Sequence, residues 1–237
     1  MNSFFLKKIN SNVFEIENED FHHIKNVIKL KINEQIICVY ENQKYLCTIS
    51  DILENSCLAK IISKINFSQK KYKVNLIIGL IREQKWDFVL QKATELGVDT
   101  IIPVEFKRNV VKIDPKKQES KINRWESICS SAAKQSKRNS IPEIMNIVKD
   151  LSQLTKYKAD LNLVCWEEEK NNFIKNEFKK KFKTVNIVIG PEGGISSDEI
   201  VKLKSMGYIM VNLGDNIMRA ETVPLFLLSC LNYEKEV

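Results

Sequence analysis

The sequence predicts an α/β protein with a parallel sheet, preceded by a small β-barrel module. Three observations predict it. Near-continuous apolar runs such as "VNLIIGL" (residues 74–80) and "VNIVIG" (185–190) read as strands buried on both faces. From residue 74 onward such runs alternate with helical patterns, the rhythm of βα units. Residues 1–68 instead carry short strands separated by hairpin-sized gaps.

The elements follow in order. In "EDFHHIKNVIKLK" (19–31), Phe21, Ile24 and Ile28 repeat at helical spacing, and Lys25 and Lys29, four apart, are expected on one face. "QIICVY" (35–40) and "KYLCTI" (44–49) flank Glu41-Asn42-Gln43 as a hairpin, and "CLAKII" (57–62) is a third strand. "NFSQKKYK" (66–73) is polar and reads as a linker, so the chain divides into domains 1–68 and 72–237. "KWDFVLQKATELG" (85–97) is a helix with Trp86, Val89, Leu90, Ala93 and Leu96 inward and Gly97 at its end. "TIIPV", a helix over 118–134, "LNLVCW", another helix, "VNIVIG", a helix, "YIMVNLG" and a last helix complete the chain.

Composition bounds the function. The 37 Lys and Arg against 30 Asp and Glu leave +7, which points to an acidic partner, most commonly nucleic acid; a lysine-rich proteome gives the same balance. The six cysteines form no CxxC pair, so neither a metal knuckle nor a thioredoxin-type motif is supported, and a reducing cytoplasm is expected. The N-terminal stretch has no signal-peptide pattern, and no run approaches the ~18 apolar residues of a membrane span.

Three of the seven glycines fall within five positions of "IVIGPEGGISSDEI" (187–200). A buried strand ends at Gly190, and Ser196 with Glu199 forms a capping box flanked by Ile195 and Ile200 as a hydrophobic staple. The loop therefore lies at the carboxyl end of a parallel strand, where open α/β sheets bind ligands. It matches neither phosphate-loop nor dinucleotide fingerprint, and Glu192 would repel phosphate. Gly193 and Gly194 permit positive φ and close backbone approach, suiting a neutral or cationic ligand held by main chain, or simply a tight turn with a solvated Glu192. A second corner, "LGDNIMRAET" (213–222), leads to a helix with Thr222 as N-cap and Leu225, Phe226, Leu228 and Leu231 inward. Arg219 there reads an anion or pairs with Glu221.

The two corners together resemble the paired C-terminal motifs of the RsmE family, SPOUT-superfamily methyltransferases that use S-adenosylmethionine to methylate N3 of a uridine in 16S ribosomal RNA. "KWDFVLQKATELGV", "AAKQSKRNSIPEI" and "FHHIKNVIKLKINEQI" extend the resemblance over nearly the whole chain. It implies a trefoil-knotted SPOUT methyltransferase domain behind a PUA-like β-barrel RNA-binding domain, a homodimer, a cytoplasmic location, and no metal or membrane. It implies that Ile189, Gly190, Gly194, Leu213, Gly214 and Met218 line the donor pocket. Arg219 is then the catalytic residue, favouring the uracil anion or holding the RNA, with Lys25, Lys29, Lys31, Arg138 and Asn139 on the RNA; Lys7 or Lys8 joins the phosphate contacts. The chain departs from the family at Asn216, where arginine is usual, and at Ala220, where threonine is. Ala133-Lys134-Gln135 replaces the family's "CEQ", and Ser3-Phe4-Phe5 replaces its "RFF". These changes leave open which cations hold the RNA. Two other readings stand beside this one: a SPOUT methyltransferase for another RNA position, and a non-catalytic RNA-binding ribosome-assembly factor.

Overall fold

In the computed structural model, which describes residues 1–67 and 70–236, the chain divides into two units. One comprises Met1–Gln69 with Ala133–Ser140, the other Lys70–Ala132 with Ile141–Val237. Ser68 and Gln69, at the centre of the expected linker, lie outside the described residues, as does Val237.

The first unit contains β1 (Ser3–Phe5), β2 (Val13–Glu17), α1 (Asn18–His22), β3 (Gln35–Tyr40), β4 (Gln43–Ile52) and β5 (Ser56–Ile65). Its sheet runs β1-β3-β4-β5-β2, with β1 parallel to β3 and the other pairs antiparallel. No pairing joins β1 to β2 among the described residues, so the expected barrel is a half-barrel. The β3–β4 turn is tighter than the three-residue gap expected. Tyr40 pairs with Gln43, and Glu41 (φ 47°) and Asn42 (φ 60°) both adopt the left-handed conformation of a type I′ turn. Phe4, Phe14, Ile16, Ile24 and Ile36 fill the core with Cys38, Cys47 and Cys57, small hydrophobes here. The basic helix differs from expectation. After His22 it widens into a π-turn over His23–Val27, with the Ile28 N–H donating to the His23 carbonyl at 3.0 Å. Lys29 stands beyond its end at φ 53°, so Lys25 and Lys29 do not share a helical face.

The second unit contains β6 (Lys73–Gly79), α2 (Glu83–Glu95), β7 (Thr100–Val104), α3 (Gln118–Gln135), β8 (Glu143–Ile144), β9 (Leu161–Cys165), α4 (Ile174–Phe178), β10 (Thr184–Ile189), α5 (Ser197–Ser205), β11 (Ile209–Val211) and α6 (Val223–Glu236). The last residues of α3 group with the first unit. All six strands are parallel, in the order β11-β9-β10-β6-β7-β8. Alternate residues serve opposite faces: Leu76, Ile78 and Ile187 join Trp86, Leu90 and Leu227, while Ile77 and Val188 join Ile200 and Leu203. α2 closes as the glycine implies. Gly97 has φ 89°, and the Val98 N–H donates to the Ala93 carbonyl at 3.0 Å, a Schellman end. α6 departs by one step: its buried face is Val223, Leu227, Leu228 and Leu231, with Leu225 and Phe226 half-buried. The expected strand over 208–214 stops at Val211, and Asn212 to Gly214 turn into the second corner.

Asparagines cross the centre of this sheet. Asn75, Asn186 and Asn162 face one another on β6, β10 and β9. Asn75 Nδ2 donates to Asn186 Oδ1 at 2.8 Å. Asn186 Nδ2 donates to Asn162 Oδ1 at 2.7 Å and to the Tyr157 carbonyl at 2.6 Å. Asn186 is fully buried, so each amide depends on its neighbours. Asn186→Leu is expected to lower stability by about 1–3 kcal/mol for each polar group it strands. Urea denaturation checks this; an unchanged midpoint would mean the ladder contributes nothing.

Candidate functional site

β11, β9 and β10 are neighbours in the sheet and all run parallel, so their carboxyl ends lie side by side. The chain after each strand opens into a loop, and the three loops enclose a cavity of about 880 Å³. That is large enough for a nucleoside-sized ligand. Ile189, Gly190 and Gly194 from the first corner line it, with Leu213, Gly214, Met218 and Arg219 from the second. The third wall is the loop after β9, with Glu167, Lys170 and Phe173. The sequence reading missed this wall, because nothing local in "CWEEEKNNF" marks β9 as the strand between the other two.

The glycines of the first corner divide their work. The Gly194 N–H donates to the Pro191 carbonyl at 2.9 Å, closing the turn, and Gly194 has φ 71°. Gly193, expected to share that conformation, does not. A Cβ on it would stand 2.6 Å from the Arg108 carbonyl oxygen, so it is needed for close approach. A Cβ on Gly190 would meet Ile195 Cγ1 at 2.8 Å. Downstream the capping box forms as expected: Glu199 Oε2 accepts from the Ser196 N–H at 3.0 Å and from its hydroxyl at 2.6 Å. Ile195 and Ile200 are both buried in the same cluster.

Asn212 laces the second corner to the third wall. Its N–H donates to the Asn172 carbonyl at 2.8 Å, and its carbonyl accepts from the Ile174 N–H at 3.0 Å. Its side chain donates to the Glu169 carbonyl and accepts from the Gly214 N–H at 2.6 Å. Gly214, at φ 120°, has open space where a Cβ would point.

Lys85 on α2 sits between the corners, 3.1 Å from Glu221 Oε1 and 3.7 Å from Glu192 Oε1. Glu192 is therefore held in an ion pair and not simply solvated. Burial works to raise the Glu221 pKa, but a backbone N–H, Lys85 and the Arg219 charge together hold it below the usual carboxylate value. Arg219 influences Glu221 at a distance. Among the described residues its exposed side chain makes no salt bridge, so the Arg219–Glu221 pair is not formed. Burial pushes the Cys165 thiol up to about 12, which leaves it an inert wall.

The other expected site residues belong to the first unit. Lys25, Lys29 and Lys31 are exposed, and Lys25 Nζ lies 5.2 Å from the Phe21 ring centroid. Arg138 and Asn139 lie in the segment that groups with that unit, where Asn139 Nδ2 donates to the Asn42 carbonyl at 3.3 Å. Among the described residues no cluster of three or more His, Cys, Asp or Glu is placed to hold a metal, and no helix is long and apolar enough to cross a membrane.

Lys85→Met removes the cation shared by the two corners. It is expected to cost about 1 kcal/mol near neutral pH. Because the Glu221 pKa is depressed in the folded state, its contribution is present above the ordinary carboxylate value and is lost as pH falls through the folded value. The stability gap between wild type and variant should therefore close as pH drops below about 4. Thermal denaturation of both proteins across pH checks this; a gap independent of pH would contradict it.

The RNA methyltransferase domain family matches residues 68–232, and the RNA methyltransferase PUA domain family matches residues 16–62. The chain is 37% identical to ribosomal RNA small subunit methyltransferase E of Mesomycoplasma hyopneumoniae, over 97% of this chain and 98% of that one. It is 33% identical to the Bacillus subtilis protein of that name, over 94% and 91%. A Legionella pneumophila structure in complex with bound SAM superimposes with a TM-score of 0.86 at 26% identity, covering 98% of this chain and 96% of that one. With both domains matched in sequence order and relatives aligned along nearly their whole length, the chain belongs to the RNA methyltransferase family of ribosomal RNA small subunit methyltransferase E.

Proposed function

We propose that the protein methylates N3 of a uridine in 16S ribosomal RNA of the small subunit, with S-adenosylmethionine as methyl donor. The observation that carries this is the cavity at the carboxyl ends of three parallel strands, walled by glycine-rich main chain and rimmed by Arg219, whose side chain makes no salt bridge among the described residues. The residues fit such a donor. Ile189, Leu213 and Met218 offer apolar surface, and Gly190, Gly194 and Gly214 leave main chain accessible, as an adenosine group requires. Glu192, on the cavity wall, disfavours a polyphosphate in the same space. When bound, the donor supplies an electrophilic methyl group on a sulfonium.

This chain's residues do the rest. Uracil N3 is weakly acidic and attacks only after losing its proton. Arg219 beside the uracil oxygens favours that anion, while the walls orient the ring and exclude water. The first unit, as a PUA-like RNA-binding domain spanning 1–68, supplies the phosphate contacts through exposed Lys25, Lys29 and Lys31, joined by Arg138 and Asn139. We read residues 72–237 as the trefoil-knotted SPOUT domain, working as a homodimer in the cytoplasm. Ile217, 88% exposed at the cavity rim, supports a partner surface there, and six free cysteines suit a reducing compartment.

Incubating isolated small subunits with labelled donor, then analysing nucleosides, tests the assignment. Label in 3-methyluridine is expected; label in another nucleoside favours a different target position. Failure to bind donor at all favours an assembly factor. Arg219→Ala should keep donor affinity within a few-fold yet slow single-turnover transfer by roughly 10²-fold. Near-normal transfer would remove Arg219 from the mechanism. Reversing the charge of Lys25 and Lys29 should weaken RNA binding and flatten its dependence on salt, the log–log slope falling by about one for each phosphate no longer neutralised. Unchanged affinity across salt would take these lysines off the RNA.

A further inference from the structure

Arg108 lies on the loop after β7, outside the walls described above, yet it reaches the first corner. A Cβ built on Gly194 would stand 3.9 Å from Arg108 Nη1 and 3.0 Å from Glu167 Oε1. A cation and an anion from two different loops thus flank one bare stretch of main chain. They stand beyond direct pairing distance, and neither side chain is paired elsewhere among the described residues.

The position of Arg108 is built rather than incidental. Its carbonyl packs on Gly193, where no side chain fits. The preceding Lys107 N–H donates to Glu199 Oε1 at 2.8 Å, tying the loop to the capping box of α5. The following Asn109 is buried; its Oδ1 accepts from the Phe106 N–H at 3.0 Å, and its Nδ2 donates to the Leu80 carbonyl at 2.9 Å. The backbone is fixed on both sides, and only the guanidinium remains free. Glu167 is held by a turn, in which the Glu169 N–H donates to the Trp166 carbonyl at 3.2 Å, and it lines the cavity.

Opposite charges flanking an unobstructed backbone suit a ligand carrying both signs on one carbon. We propose that Arg108 and Glu167 clamp the α-amino-acid end of the donor, the guanidinium taking the carboxylate and the carboxylate taking the ammonium. This rests on the reading of the cavity as the donor site. The remaining charges are less suited: Lys85 and Glu192 are paired with each other, and Lys170, Asp215 and Arg219 have no such opposed partner across Gly194.

Calorimetry with three ligands tests the clamp. S-adenosylmethionine and S-adenosylhomocysteine carry the amino-acid end; 5′-methylthioadenosine lacks it. Arg108→Gln and Glu167→Gln should each weaken the first two by roughly 10-fold or more, the scale of a lost charge-assisted hydrogen bond. Both variants should bind methylthioadenosine as wild type does, which also shows that they fold. Lys181→Gln, at an exposed position before β10 and away from the cavity, should leave all three affinities unchanged. The clamp is overturned if Arg108→Gln and Glu167→Gln bind S-adenosylmethionine normally, or if methylthioadenosine affinity falls in step, which would make these residues builders of the corner. A wild-type protein that binds methylthioadenosine as tightly as S-adenosylhomocysteine overturns the clamp but keeps the donor reading. Binding of none of the three overturns both.

Discussion

The register of the parallel sheet is the constraint on which the site depends. Asn75, Asn186 and Asn162 pair only when β6, β10 and β9 are aligned as observed. A slip of one residue would turn each strand's apolar set to the wrong face and leave three amides without partners. The same alignment sets where the strands end. β6 finishes at Gly79, where a Cβ would stand 2.6 Å from the Pro191 nitrogen, so the first corner is folded directly over the neighbouring strand's end. A polar line through an apolar sheet thus fixes the height at which the loops begin.

From that level the corners are joined by polar groups whose partners lie far away in sequence. Asn212 ties the second corner to the loop after β9, Lys85 ties both corners to α2, and Glu199 ties the α5 cap to the loop after β7. Each contact satisfies groups that burial would otherwise penalise, so the cavity walls are held by hydrogen bonds as well as by packing.

Much of this was legible because its causes are local. The βα rhythm, Gly97 at the end of α2 and the Ser196–Glu199 box all depend on residues within one turn, and all appear as read. The six residues expected at the donor site, and Arg219 beside them, were picked out by motif resemblance, and all line one cavity. What was illegible depends on position in space. Strand order is not written in any one strand, so the wall containing Glu167 and Phe173 went unseen, and Arg108 with it. The π-turn that displaces Lys29 replaces one hydrogen-bond spacing by another without changing the apolar pattern of Phe21 and Ile24. α6 begins at Val223, directly after Thr222, but its buried face falls on Val223, Leu227, Leu228 and Leu231 instead of on Leu225 and Phe226.

The charges around the cavity separate by role. Lys85, Glu192 and Glu221 are committed to one another, so each is supported by the fold and adds rigidity. Among the described residues Arg108, Glu167 and Arg219 make no such ion pairs, and they remain exposed. Exposure keeps them hydrated, so leaving them unpaired costs the folded state little, whereas a buried unpaired charge would cost several kcal/mol, roughly 3–5. Desolvation is deferred until a ligand covers them, when each finds an opposite charge in place of water. Residues that build the corners and residues free to meet a ligand are thus distinct sets, and substituting one set should disturb stability while substituting the other disturbs binding.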